Sequence, residues 1–130
     1  MSAGAMSRAV QHLREAAQSQ DLTGCADVVL LQRFSQAGDE SAFAELVYRH
    51  GPMVLAVCRR VAGQEQDAED AFQATFLVLA RKSAGLADPE LLSAWLHGVA
   101  SRTALKARNR AGRRRLFERQ VMNVPHPLVE

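Results

Sequence analysis

An all-α fold follows from three features of this 130-residue sequence. Apolar residues recur three and four positions apart in nearly every long segment, the spacing of a helix face turned to a core. Val, Thr and aromatic residues form no alternating runs of the kind a half-buried strand needs. Glycines such as Gly38, Gly63 and Gly85 fall between the periodic segments, where helices stop. The length suits one domain with a single core. The prediction is a compact bundle of about four to five helices, the last of them long and basic.

Residues 1–26 read as an N-terminal extension. Met6, Val10, Leu13 and Ala17 make a modest helical stripe within it, and 21–26, with Gly24, read as a linker. The domain itself spans 27–118. Asp27 to Gln36 places Val28, Leu31 and Phe34 or Ser35 on one side of a short helix. Gly38 ends it, and Asp39 is the N-cap of the next. Ala42, Phe43, Leu46 and Val47 form that helix's core stripe. His50-Gly51-Pro52 then marks either a break or a kink. Met53, Val54, Val57, Cys58 and Val61 continue the apolar face until Gly63.

From about Glu65 to Ser83 runs a helix without Gly or Pro. Acids crowd its first turn and Arg81 and Lys82 close its last, which suits the helix dipole. Ala68, Phe72, Thr75, Phe76 and Leu79 make its core stripe. The opposite face carries Gln66, Asp70, Gln73, Leu77 and Arg81, with Glu69 and Ala80 on one flank and Ala74 on the other. A small apolar centre within a polar ring is the composition of a protein-docking surface. An ordinary amphipathic helix with one stray exposed leucine fits the same pattern.

Ala84 to Pro89 is a turn-rich loop, in which Asp88 and Pro89 read as N-cap and first-turn proline of the last helix. That helix extends to about Arg115 or Glu118. Leu92, Trp95, Leu96, Val99, Ala100 and Thr103 form its core stripe, but the same direction is then occupied by Lys106, Arg110 and Arg113. Apolar burial should therefore end near Leu105, with the helix overhanging the bundle. Gly112 weakens it, and 119–130 read as a linker or tail. Residues 102–130 hold eight basic residues against Glu118 and Glu130, leaving the first 101 positions at about −4. A mildly acidic body with a basic end points to a polyanion at that end, or to a solubilising tail.

Other chemistries find little support. No Gly-rich phosphate loop, metal-ligand spacing or nucleophile–His–acid set is present, and the four histidines are scattered, so neither an enzyme nor a metal or cofactor site is expected. Cys25 and Cys58 read as reduced thiols, Cys58 in the core. No run reaches the roughly eighteen apolar residues of a membrane span, and no signal pattern opens the chain; a cytoplasmic protein is expected.

Asp67-Ala68-Glu69-Asp70, with Gln73 and Phe76 at their present spacing, closely resembles region 2.2 of bacterial RNA polymerase sigma factors of the sigma-70 family, nearest to the extracytoplasmic-function (ECF) type. The span 27–63, with Ala-Phe-Ala-Glu-Leu-Val and Arg-His-Gly-Pro, resembles region 2.1. Trp95-Leu96-His97-Gly98-Val99-Ala100 matches the family's Trp-Leu-x-x-aliphatic-Ala pattern. Two departures stand out: Ala74 replaces a common acidic residue after the glutamine, and Ser101-Arg102 replaces the common Arg-Asn.

The resemblance implies a region 2 domain that binds core RNA polymerase, on a coiled coil of its largest subunit, through Glu69, Asp70, Gln73, Ala74, Leu77 and Arg81. It further implies capture of unstacked bases of the minus-ten promoter element, on the non-template strand, by the loop and last helix. The DNA-binding candidates are Leu86, Asp88, His97, Ser101, Arg102, Lys106, Arg108, Arg110, Arg113, Arg114 and Arg115, the arginines acting on phosphates without reading sequence. Trp95 is a core residue by periodicity and a base-stacking residue as the alternative. An anti-sigma factor is a further candidate partner. Typical members carry a region 4 domain for the minus-thirty-five element; none follows here, which reads as a fragment, a truncated product or a minimal factor. The alternatives are a helical interaction module that binds polymerase or an anti-sigma factor without promoter activity, and a general helical DNA-binding protein.

Overall fold

Helix-stop and helix-start chemistry divides the chain where the sequence predicts. The computed structural model describes residues 22–86 and 88–123; the Met6–Ala17 stripe and the tail from 124 lie outside them. Four α-helices, and no strand, occur among the described residues: α1 (Asp27–Ala37), α2 (Glu40–Ala62), α3 (Glu65–Lys82) and α4 (Leu92–Asn123). Short 3-10 turns at Ser83–Gly85 and Pro89–Leu91 connect the last two.

Gly38 ends α1 in the left-handed region at φ 64°, a conformation that glycine adopts without a Cβ clash. Its N–H reaches Phe34 O at 2.9 Å while the Asp39 N–H reaches Arg33 O at 3.2 Å, satisfying two orphan carbonyls. Asp39 then caps α2, its Oδ1 accepting from the Ser41 and Ala42 N–H groups at 3.0 and 3.2 Å. The other carboxylate oxygen pairs with Arg33 at 2.7 Å. Burial alone would raise the Asp39 carboxyl, but the Ala42 N–H, the Arg33 guanidinium and the Ser41 N–H outweigh it and hold the group below its ordinary value.

α2 resolves the ambiguity at Gly51-Pro52, because one helix runs through both residues to Gly63. An interior proline costs about 3 kcal/mol. Here Val47, Val54, Val57 and Cys58 are buried on either side of it, so tertiary packing holds the helix continuous. Residues just before α1 are anchored as well. Leu22 belongs to the core, and Arg49 Nη2 donates to its carbonyl at 2.9 Å and to that of Thr23 at 3.1 Å. The same guanidinium pairs with Asp27 and Glu45, and His50 Nε2 lies 2.8 Å from Asp27 Oδ2.

The core fills the space between α2, α3 and α4, with Leu30 of α1 against it. Leu46, Val54, Leu79, Leu92 and Leu96 are fully buried there. Phe43 meets Phe76 edge-on at 6.5 Å, and Phe72 lies 5.1 Å from Phe76. The Thr75 and Thr103 hydroxyls join α3 to α4 at 2.9 Å, Thr75 donating to Ala71 O at 2.7 Å. Cys58 is a buried free thiol, and burial pushes its pKa up to about 11, which keeps it protonated and unreactive.

α4 departs from expectation in three ways. It begins at Leu92 after a 3-10 turn, and the Asp88 side chain makes no capping bond; the turn is closed by the Leu91 N–H on Asp88 O at 3.0 Å. It extends to Asn123, through Gly112. Burial also does not stop near Leu105, which is itself 46% exposed: Ala104, Ala107 and Ala111 are buried beyond it. Methyl groups let the helix axes approach closely, so alanines continue a seam that long apolar side chains no longer supply. From Arg113 to Met122 every side chain is exposed.

Candidate functional site

α3 presents to solvent the face its sequence predicts, with one exception. Gln66, Asp70 and Arg81 are exposed, Gln73 and Ala74 half-buried, and Leu77 stands 56% exposed at the centre. The exception is Glu69, expected on the flank of that face and found fully buried. It shares the stripe of Phe72 and Phe76, whose rings lie against α2 at Gly51 and Phe43. Neither of its carboxylate oxygens has a hydrogen-bond partner. Glu69 thus leaves the surface set, and the patch consists of Asp70, Gln73, Ala74, Leu77 and Arg81.

The loop after α3 and the start of α4 converge. Leu86 and Asp88 line a depression of about 580 Å³ together with Lys82, Gly85, Leu91, Ala94 and Trp95. Leu86 and Trp95 are half-buried, pack partly on the core and also line the depression. Of the remaining α4 candidates, His97 and Arg102 are exposed and Ser101 half-buried. The Arg102 guanidinium folds back over the helix at Gly98, where an added Cβ would lie 3.3 Å from Nη1. Gly98 was not among the sequence candidates; a small residue one turn before an arginine is the signal that could have found it.

The cationic half of α4 is not uniform. Lys106, Arg110 and Arg113, with Thr103 and Asn109 of the same helix, line a groove of about 500 Å³ together with Ala71 and Ala74 of α3. Arg110 and Arg114 share a smaller cleft of about 170 Å³ with Asp67, Asp70, Ala107 and Ala111. Arg108 and Arg115 are exposed away from that groove, as is Arg119. The ion pairs of the described residues involve Arg33, Arg49, His50 and Arg59, and none involves α4. The arginine tract therefore keeps its charge available. Leu116, Phe117, Val121 and Met122 are exposed along the same overhang. No cluster suited to a metal occurs among the described residues, and no described helix is long and apolar enough to cross a membrane.

An exposed leucine in a polar ring lies on α3, an open depression lies at the 83–91 loop, and the cations of α4 form no ion pair among the described residues. The family model for sigma-70 region 2 matches residues 46–114, which hold α3 and most of α4. The chain belongs to the sigma-70 region 2 family. It is 34% identical over 86 residues to the ECF RNA polymerase sigma factor SigE of Mycolicibacterium smegmatis, covering 64% of this chain and 33% of that protein. With the ECF RNA polymerase sigma factor SigG of Mycobacterium tuberculosis it shares 41% identity over 78 residues, 60% of this chain and 20% of the relative. The region 2 similarity thus spans a third or less of these relatives. No solved structure matches the chain.

Proposed function

We propose that this region 2 domain acts in transcription initiation, docking on core RNA polymerase through α3 and engaging the minus-ten promoter element through the 83–91 loop and α4. The observation that carries the reading is Leu77, exposed within Asp70, Gln73 and Arg81 on a helix whose other side is core. An apolar anchor in a ring of polar groups that exclude water is how docking energy is concentrated. A coiled coil of the largest subunit is the proposed receptor for this patch, and an anti-sigma factor would compete for the same surfaces.

On the DNA side, the depression lined by Leu86, Asp88 and Trp95 is large enough to receive an unstacked base of the non-template strand, with stacking energy recovered inside it. Arg108, Arg114 and Arg115 lie farther along α4, where phosphates would bind by counterion release. His97, Ser101 and Arg102 lie between the two and are the proposed contributors to base preference. Aromatic residues are few, so strand opening is proposed to be local and dependent on polymerase.

A pulldown with core polymerase tests the reading. Gln73→Ala combined with Leu77→Asp should abolish capture while preserving the helical circular dichroism spectrum. Capture equal to that of the unsubstituted chain would remove the docking assignment.

A further inference from the structure

We propose that the groove between α3 and α4 is a second nucleotide site, in which Lys106, Arg110 and Arg113 hold the phosphates of a DNA strand and Asn109 reads an adenine base. The proposal rests on reading α4 as a DNA-binding helix and carries that reading from the 83–91 loop to the distal groove. Its first support is the lining. The three cations, Thr103 and Asn109 stand on α4, and Ala71 and Ala74 of α3 close the other side. The cations are exposed and form no ion pair among the described residues. A volume of about 500 Å³ is more than a lone phosphate needs and falls in the range of sites that take small ligands.

Asn109 supplies what the cations lack. Its side chain is exposed and has no hydrogen-bond partner among the described residues. The Thr103 hydroxyl, by contrast, is committed to Thr75 and to the Ala71 and Ala100 carbonyls. Asn109 is therefore the one neutral side chain of the lining that is free both to donate and to accept. Adenine presents a donor and an acceptor side by side, N6–H and N7, and a carboxamide meets both at once. Phosphate oxygens only accept, and the ammonium and guanidinium groups that flank Asn109 along the helix match them better. The methyl groups of Ala71 and Ala74 give the base an apolar wall.

Helix geometry puts this groove on the same side of α4 as the depression at the 83–91 loop. α4 is continuous across both. The fourteen residues from Trp95 to Asn109 bring the helix round to within roughly 40° of the same direction, at a rise of about 21 Å. That rise spans roughly six stacked nucleotides, so one DNA segment lying along α4 can enter both sites. Arg102, exposed, stands between them. Past Arg110 the surface changes sign. The adjoining cleft places Arg110 and Arg114 beside Asp67 and Asp70, and phosphates approaching those carboxylates are repelled. The strand is thus turned away from the bundle after the groove, which confines the contact to a short stretch and lets one base matter.

The test selects DNA from a random duplex pool and a random single-stranded pool, with the full chain alone and with the full chain bound to core RNA polymerase. Selected sequences should share an adenine at one position, and Asn109→Ala should lose that preference while keeping the others. The pool that shows it tells whether the base is read in a duplex or unstacked. Replacing this adenine by 7-deazaadenine should weaken binding of the unsubstituted chain about fivefold and leave the Asn109→Ala chain unaffected. Alanine is the better helix former at this exposed position, so circular dichroism should show no loss of structure. Lys106→Gln, Arg110→Gln and Arg113→Gln together should instead weaken binding to every sequence and flatten the salt slope by about three contacts. The proposal is overturned if Asn109→Ala lowers affinity for all sequences alike, if the 7-deaza base acts equally on both chains, or if no base is enriched. An enriched guanine that is lost with Arg110 or Arg113 overturns it too, as does a triple variant that loses polymerase and keeps DNA. Asp88→Asn separates the two sites. If it leaves every base preference intact while Asn109→Ala removes one, the depression reading fails and the groove assignment stands. If it alters a preference and Asn109→Ala alters none, the groove assignment fails alone.

Discussion

α3 and the distal half of α4 are both helical and both carry polar residues, yet they are held in place by different forces. α3 has 18 residues and one face wholly in the core, where Ala68, Phe72, Thr75, Phe76 and Leu79 are buried. Its exposed residues are therefore presented on a fixed plate. α4 loses its last buried side chain at Ala111 and continues to Asn123, with the side chains from Arg113 to Met122 in solvent. An isolated helix of that length is marginal in water, and clustered arginines repel one another. The overhang is helical because it propagates from the packed half. A plate suits shape-dependent protein docking, whereas a charged rod at the edge of stability suits a polyanion that neutralises it.

The largest expected effect breaks the plate. Leu79→Ala removes a fully buried side chain of α3 and should cost about 2–5 kcal/mol in denaturant unfolding, since the cavity adds to the lost transfer energy. Both binding activities should fall with it. Neutralising Arg108, Arg114 and Arg115 should leave the unfolding midpoint almost unchanged. It should flatten the salt dependence of DNA binding by about three phosphate contacts. A stability loss comparable to that of Leu79→Ala would mean the rod is as firmly packed as the plate.

Glu69 sharpens the comparison from inside the plate. Buried oxygens that accept no hydrogen bond and have only the Coulomb attraction of Arg59 are destabilising, so Glu69→Met, which removes them at similar volume, should raise stability by about 1–3 kcal/mol without altering polymerase capture. A drop in polymerase capture at unchanged stability would return Glu69 to the functional set. The smallest effects lie at the ends of the helices. Gly112→Ala meets no atom within 4 Å and should increase helical content, adding about 0.5–1 kcal/mol of local helix stability. Asp39→Ala should cost about 1 kcal/mol through the lost cap. The Asp39 carboxyl is held below its ordinary value when folded. Its contribution is therefore complete above the ordinary carboxylate range and disappears as pH falls through the folded value. Thermal melts of Asp39→Asn should accordingly show a weaker loss of stability on acidification than the unsubstituted chain.

Much of this protein is legible from local chemistry alone. Gly38 and Gly63 stop helices because a left-handed residue there satisfies backbone carbonyls, and Asp39 starts one because its carboxylate accepts two free N–H groups. The polarity of α3 and the isolation of Leu77 on its outer face follow from periodicity, and the unpaired basic end follows from charge placement. These depend on neighbours within a turn or two, which a sequence records directly.

Tertiary structure decided whatever depends on a second element. Pro52 stays within one helix because core residues on both sides of it outweigh the lost hydrogen bond. Glu69 is interior because α2 covers its stripe, a fact that no property of α3 records. Ala104, Ala107 and Ala111 are seam residues because another helix lies close enough to need only methyl groups. Whether a given arginine faces open solvent or the wall of α3 depends on where α3 lies. Helical periodicity gives a residue's angle about its own axis, and only the packed bundle supplies what stands at that angle.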